Sequence, residues 1–298
     1  MPNLQNAVPA APSSWMAAPA TSTPQLLYVS DLGHFDVAVF TYPALKLVGR
    51  LTGFDRPQGA CSDALGNVWI ANAGTEQMLE FAHGGTSPIA TLNDPNGVPV
   101  GCALDANGDL AVTNLFDGGR SGSVLVYRQA HGTPRVYSAP NLYDYYFDGY
   151  DAAGNLYASG TSSSKTFGLA VLPVGARAMT PVAVHGATIH FPGTVAWRGP
   201  TLVLGDQQCK GAAASCFYEL SLSGRTATVK HVTALTGSCD VVQAWVGPTR
   251  IAGGDDGENC GRPSNADTWP YPAGGKPTVT ATGVRAPVGA TVSTIPKS

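Results

Sequence analysis

The sequence predicts an all-β ring: a six-bladed β-propeller of four-stranded antiparallel blades, closed by pairing the N-terminal and C-terminal strands. Three observations lead there. The stretch 57–92 reads as four short strands joined by tight turns, and copies of it follow at steps in the forties. No segment carries the 3.6-residue apolar period of an amphipathic helix. The two chain ends hold complementary fragments of one such unit. A single four-strand unit cannot bury both faces of its sheet, so it needs copies of itself as neighbours.

The unit opens at Pro57-Gln-Gly59 and runs through a short apolar stretch to Asp63. Residues 63–67 form a turn: Gly66 supplies positive φ, while Asp63 and Asn67 bond local backbone. The β-formers of 67–72 follow, then 77–82, a turn at His83-Gly84-Gly85, and 87–92. The opening recurs at Pro99-Val-Gly101, Asp148-Gly149 and Phe191-Pro192-Gly193, so the glycines step by 42, 48 and 44 residues. The Asp-x-x-Gly turn recurs at 105–109 and as 151–155. A further unit shows in Trp197-Arg-Gly-Pro-Thr201 against Trp245-Val-Gly-Pro-Thr249, 48 residues on. Finally Pro287-Val-Gly289 opens a unit that has no second strand, and Leu27–Asp31 looks like a second strand without its first. Joined, they complete a sixth unit and remove the exposed edges of an open sheet.

Composition agrees. The 298 residues are 12% charged, against roughly 25% in an average chain, with 36 glycines and 23 prolines to serve many turns. A formal net charge of −3 offers no basic face for nucleic acid, and no run approaches the 18 apolar residues of a membrane span. Residues 1–25 differ from the rest: they are Pro/Ala/Ser/Thr-rich, without the basic and apolar regions of a signal peptide. They read as a flexible leader, or as a docking arm anchored by Trp15 and Met16 that would join copies into a homo-oligomer. The propeller itself is expected to span 26–298.

The pattern Pro-x-Gly-x-x-x-Asp-x-x-Gly-Asn followed by three apolar residues and Ala-Asn (57–72) resembles NHL-repeat propellers, whose wider relatives are the SMP-30/gluconolactonase and streptogramin-lyase propellers. The phrases LYVSD (27–31), LEFAHGGTSPIATL (79–92) and APVGATVS (286–293) also resemble uncharacterised secreted bacterial propellers. The resemblance covers about 26–293. It implies the fold, and an activity drawn from a wide range: lactonases, lyases, ligand-binding domains and scaffolds.

Six cysteines occur, none in a Cys-x-x-Cys pair. Cys209 and Cys216 flank one loop. Cys239 opens the last unit and Cys260 lies in that unit's long loop. Cys61 and Cys102 point to opposite faces of successive inner strands and so face each other between blades. Pairs 209–216, 239–260 and 61–102 are expected, and with them an oxidising compartment, secreted, extracellular or periplasmic; two buried free thiols are the alternative for 61 and 102.

In such a ring the turn after each second strand shares a rim, here the top, with the link into each first strand. Second strands end at Asp31, Asn72, Asn114, Gly160, Asp206 and Asp255. Five oxygen-bearing side chains there suit a Ca²⁺ or Mg²⁺ ion at the channel mouth, or a series of Asx turn caps. Lactonase relatives bind a metal at such a mouth through Glu, Asn and Asp; a hydrolase or lyase of that type would take Asp206, Asn114 and Asp255 as ligands, although the relatives' acid at the start of an inner strand has no counterpart here. Top links contribute Asp144, Asp148, His190 and Asp240, with His34 in a nearby turn. The aromatic run Tyr143, Tyr145, Tyr146, Phe147 and Tyr150, beside Asp144 and Asp148, suits a protein, peptide or carbohydrate partner, or simply wedges between blades. The reading favoured by the sequence is a binding or assembly module acting through the top rim, with no nucleic acid and no membrane span.

Overall fold

The computed structural model describes residues 13–95, 97–116, 119, 121–209 and 214–296. Their regular structure is nearly all strand, with four 3₁₀ turns of three residues each. Gly66, Gly108 and Gly154 adopt φ of 89°, 82° and 86°, the conformation that the repeated Asp-x-x-Gly turns require of a residue without Cβ.

The strands form five sheets arranged as a propeller ring. One has five strands: Pro287–Thr294 innermost, then Gln25–Asp31, Asp36–Thr41, Leu47–Leu51 and Trp15–Met16. Three have four strands, spanning 57–93, 98–137 and 244–281. The last has eight. Two four-strand runs, 144–185 and 192–236, are joined through their outer strands by a parallel pairing of Ala183–His185 with Thr226–Thr228. The expectation of six separate four-stranded sheets therefore needs correcting. Thr226–Thr236 is eleven residues long, and its first residues meet the edge of the preceding run as well as their own hairpin partner.

Closure occurs where the chain ends meet: Gln25–Asp31 pairs with Pro287–Thr294, Leu27 opposite Val292 and Val29 opposite Ala290. Side chains alternate along each strand, so apolar residues face both neighbouring sheets. Tyr28, Val39 and Leu51 pack on Ile70 and Phe81, Trp69 and Met78 on Leu125 and Tyr127, and Ala111 and Val124 on Tyr145 and Leu156. Phe147 and Leu169 meet Leu202 and Tyr218, Phe217 meets Trp269, and Ala252 meets Leu27 and Phe40. The core is thus a circle of clusters between successive units.

Residues 14–24 are seated on the propeller. Trp15 and Met16 pair with Arg50 and Gly49, Ala20 is fully buried, and the His83 ring bonds the Thr23 carbonyl (2.8 Å) and the Ser293 hydroxyl (2.6 Å). These contacts hold the segment against its own chain; residues 1–12 lie outside the described residues. All three expected disulfides form, 61–102, 209–216 and 239–260. Such bonds fit an oxidising compartment. Among the described residues no helix is long and apolar enough to cross a membrane.

Candidate functional site

The top rim is built on a repeated latch. Each Asp or Asn ending a second strand ties down the link into its own or the adjoining first strand. Asp31 Oδ1 accepts the Arg285 (3.0 Å) and His34 (3.2 Å) N–H groups, and Asn72 Oδ1 accepts that of Asp55 (2.7 Å). Asn114 donates to the Asp94 carboxylate (2.9 Å). Asp206 accepts from His190 (3.0 Å), Phe191 and Gln208 (3.1 Å each), and Asp255 from Cys239 (2.6 Å) and Asp240 (3.1 Å). All five are at most 4% exposed. This is the capping arrangement, in which orphan backbone donors are satisfied by short side chains. The five are spent within the rim links rather than gathered round one point. Among the described residues no group of three or more His, Cys, Asp or Glu stands close enough to hold a metal ion, so no Ca²⁺ or Mg²⁺ chemistry is derived from them.

The aromatic run belongs mostly to an inner strand, Asp144–Tyr150, rather than to a link. Tyr145 is fully buried, its hydroxyl accepting the Ala139 N–H (2.6 Å). Tyr146 is half-buried, edge-on to Phe191 with centroids 5.2 Å apart. These two rings, with buried Phe147, wedge between units as the packing alternative held. Asp148 is also inside. Neither of its carboxyl oxygens has a side-chain hydrogen-bond partner in the structure, and burial pushes its pKa up from 3.8 to about 8, which favours its neutral form. Asp240 is raised to about 6, by burial first and then by Asp256 and Asp255.

What remains at the surface is a track across the top of the 98–137, 144–185 and 192–236 units. Tyr143, partly exposed, stacks on Phe116 at 5.0 Å and 26°. Asp144 holds the two units together: it accepts the Phe116 N–H (2.9 Å) and the Lys165 ammonium (2.7 Å). Its burial would raise its pKa, but Lys165, the Phe116 N–H and the Thr161 hydroxyl outweigh that and hold it below the usual carboxylate value. Lys165, with 70% of its side chain exposed, lines a groove of about 640 Å³. Phe167, Val182, Val184 and Ile189 contribute apolar lining, and His190 lines it too. The His190 ring is 53% exposed and contacts buried Asp206 through Nδ1 at 3.2 Å. His34 is oriented likewise by Asp31, at 2.7 Å. A buried carboxylate beside an exposed imidazole fixes the orientation of the ring.

Similarity to known proteins is confined to solved structures; no sequence-family model and no curated protein sequence matches the chain. One neighbour comes from the crystal structure of a nidogen/laminin complex: TM-score 0.67 at 15% identity, covering 90% of this chain and 98% of that one. A Bacteroides caccae protein of unknown function matches with TM-score 0.67 at 11% identity, over 91% and 99%. Virginiamycin B lyase from Staphylococcus aureus matches less fully, with TM-score 0.52 at 10% identity, over 76% and 72%. The likeness is one of fold. It places the chain among β-propellers.

Sequence reasoning found His190, Asp144 and Tyr143 but missed Phe116 and Lys165. Phe116 adjoins a Gly/Asp-rich loop, and Lys165 lies in a serine-rich hairpin; neither residue repeats in another unit, so the repeat pattern passes over both.

Proposed function

We propose that the chain is an exported six-bladed propeller that binds a protein, peptide or carbohydrate ligand through its top rim. The blade count takes the eight-stranded sheet as two blades, 144–185 and 192–236, joined only at their outer strands. Buried apolar clusters between every pair of successive units favour that count. One observation carries the binding reading: the Phe116–Tyr143 stack stands beside Lys165, which with His190 lines the 640 Å³ groove. An exposed aromatic face suits a sugar ring or an apolar side chain, and ligand sites are apolar concavities with a few polar groups at defined places. The propeller of a nidogen/laminin complex is compatible with recognition of a protein. Glycan and peptide arrays probed with the whole protein supply the test. Tyr143→Ala combined with Lys165→Ala should weaken the strongest hit by at least about tenfold; unchanged affinity rules this track out.

A second reading, a hydrolase or lyase, draws on the Asp206–His190 pair, in which an oriented imidazole is available to take a proton. Turnover in a panel of lactones and esters that His190→Ala abolishes would replace the binding reading with this one. Self-assembly through the leader would require Trp15, 45% exposed, to meet another copy; an oligomer seen by light scattering and lost on deleting residues 1–25 would establish it.

A further inference from the structure

The outer edges of the sheets are treated unequally. The edge of Leu47–Leu51 is covered by Trp15–Met16, and that of Ala183–His185 by Thr226–Thr228. By contrast, the 98–137 sheet ends in a three-residue strand, Arg135–Tyr137, whose far edge pairs with nothing among the described residues. A bare edge offers a row of backbone donors and acceptors to any extended chain.

Beside this edge a groove of about 890 Å³ runs between the 98–137 and 144–185 units, on the face opposite the rim described above. Arg135, Val136 and Tyr137 of the edge line it, facing Tyr150, Val174 and Arg177. Val136 and Val174 are 52% and 67% exposed. Both arginines are exposed and neither is ion-paired among the described residues. Two acids, Asp105 and Asp109, also line the groove and are tied by hydrogen bonds into the turn that forms its wall. Asp105 accepts the N–H groups of Asn107 and Asp109, at 2.8 Å each, and Asp109 accepts that of Gln129 at 2.8 Å.

We propose that this edge and groove form a second binding site, taking an extended peptide of a partner protein with alternating apolar and acidic side chains. The peptide adds as a strand to Arg135–Tyr137. Its side chains alternate in direction, so one set lies on the apolar wall while carboxylates reach the two guanidinium groups, whose planar forks suit them. Main-chain bonds supply affinity and the groove supplies selection. The 57–93 sheet also has a bare outer strand, Pro88–Asn93, but it starts with a proline, which has no N–H to offer.

The test uses the whole protein and a fluorescein-labelled, end-capped heptapeptide of alternating glutamate and valine, followed by anisotropy. Saturable binding is expected. It should weaken at least about tenfold in an Arg135→Glu/Arg177→Glu variant whose melting temperature is unchanged, and be indifferent to Tyr143→Ala on the other rim. Methylating alternate peptide amides should abolish binding in one register and spare it in the other, which side-chain docking alone would not do. No saturation at millimolar protein, equal binding by the double variant, or equal binding by both methylated peptides would overturn the proposal. So would a dimer of the chain alone that the double variant dissolves, since the edge would then belong to a second copy.

Discussion

The two rims of this propeller use the same kind of residue in different ways. At the bottom, Asp63, Asp105 and Asp151 each accept two backbone N–H groups of their own turn, at 2.7–2.9 Å. Three copies are superimposable in chemistry. At the top, the Asp or Asn ending each second strand starts from the same latch but gathers different company. Asp31 acquires His34 and Arg285, Asp206 acquires His190, and Asn114 turns to Asp94. In the 144–185 unit the position is Gly160, and Asp144 and Lys165 occupy the neighbourhood instead. Faithful repetition marks scaffold, and departures from it mark where surface chemistry becomes specific.

The largest test of this contrast is of the ring on which both rims stand. Deleting residues 287–298 removes the innermost strand of the closing sheet and leaves Gln25–Asp31 unpaired on that side. Cooperative thermal unfolding, followed by circular dichroism, should be lost; an unchanged melting temperature would break the shared frame of reference for top and bottom.

Next in size is a direct comparison of the two kinds of aspartate. Asp206→Ala strips an acceptor from three N–H groups beneath a side chain only 1% exposed, and should cost about 3 kcal/mol. Asp63→Ala opens a turn that water can reach and should cost about 1 kcal/mol. Urea midpoints measure both, and equal losses would erase the distinction between latch and turn.

A pH-dependent effect, separate from both, concerns a group that neither rim uses. Asp148 titrates near 8 when folded instead of 3.8. The stability associated with its retained proton is complete below 3.8 and declines as pH rises through 8, by about 1.4 kcal/mol per unit inside that window. Asp148→Asn should therefore raise the melting temperature at pH 8 more than at pH 5. An effect independent of pH would show that the carboxyl is hydrated and charged.

Much of this was legible in the chain. Glycine and aspartate at fixed offsets revealed the turns because only particular residues satisfy those backbone conformations. The cysteine pairs followed from strand alternation and loop position. The aromatic run was harder. Tyr143 and Tyr145 are two residues apart, yet one stacks at the surface on Phe116 and the other is sealed inside. Tyr143 stands before the strand Asp144–Tyr150, so strand alternation does not set its direction.

By itself the sequence pointed to the repeating strand unit, the closure of first and last strands, and the 209–216 and 239–260 crosslinks, with 61–102 open to two free thiols, because each depends on local backbone chemistry or on spacing along the chain. Only the tertiary structure decided which acids are latches, that Asp148 is buried, that two units are zipped along their outer strands, and that Phe116, Tyr143, Lys165 and His190 share one track. Those facts arise from contacts between strands and links separated along the chain, for example by 15 residues between Asp240 and Asp255 and 28 between Phe116 and Asp144, where burial and partner geometry are set by how neighbouring strands and sheets fit together.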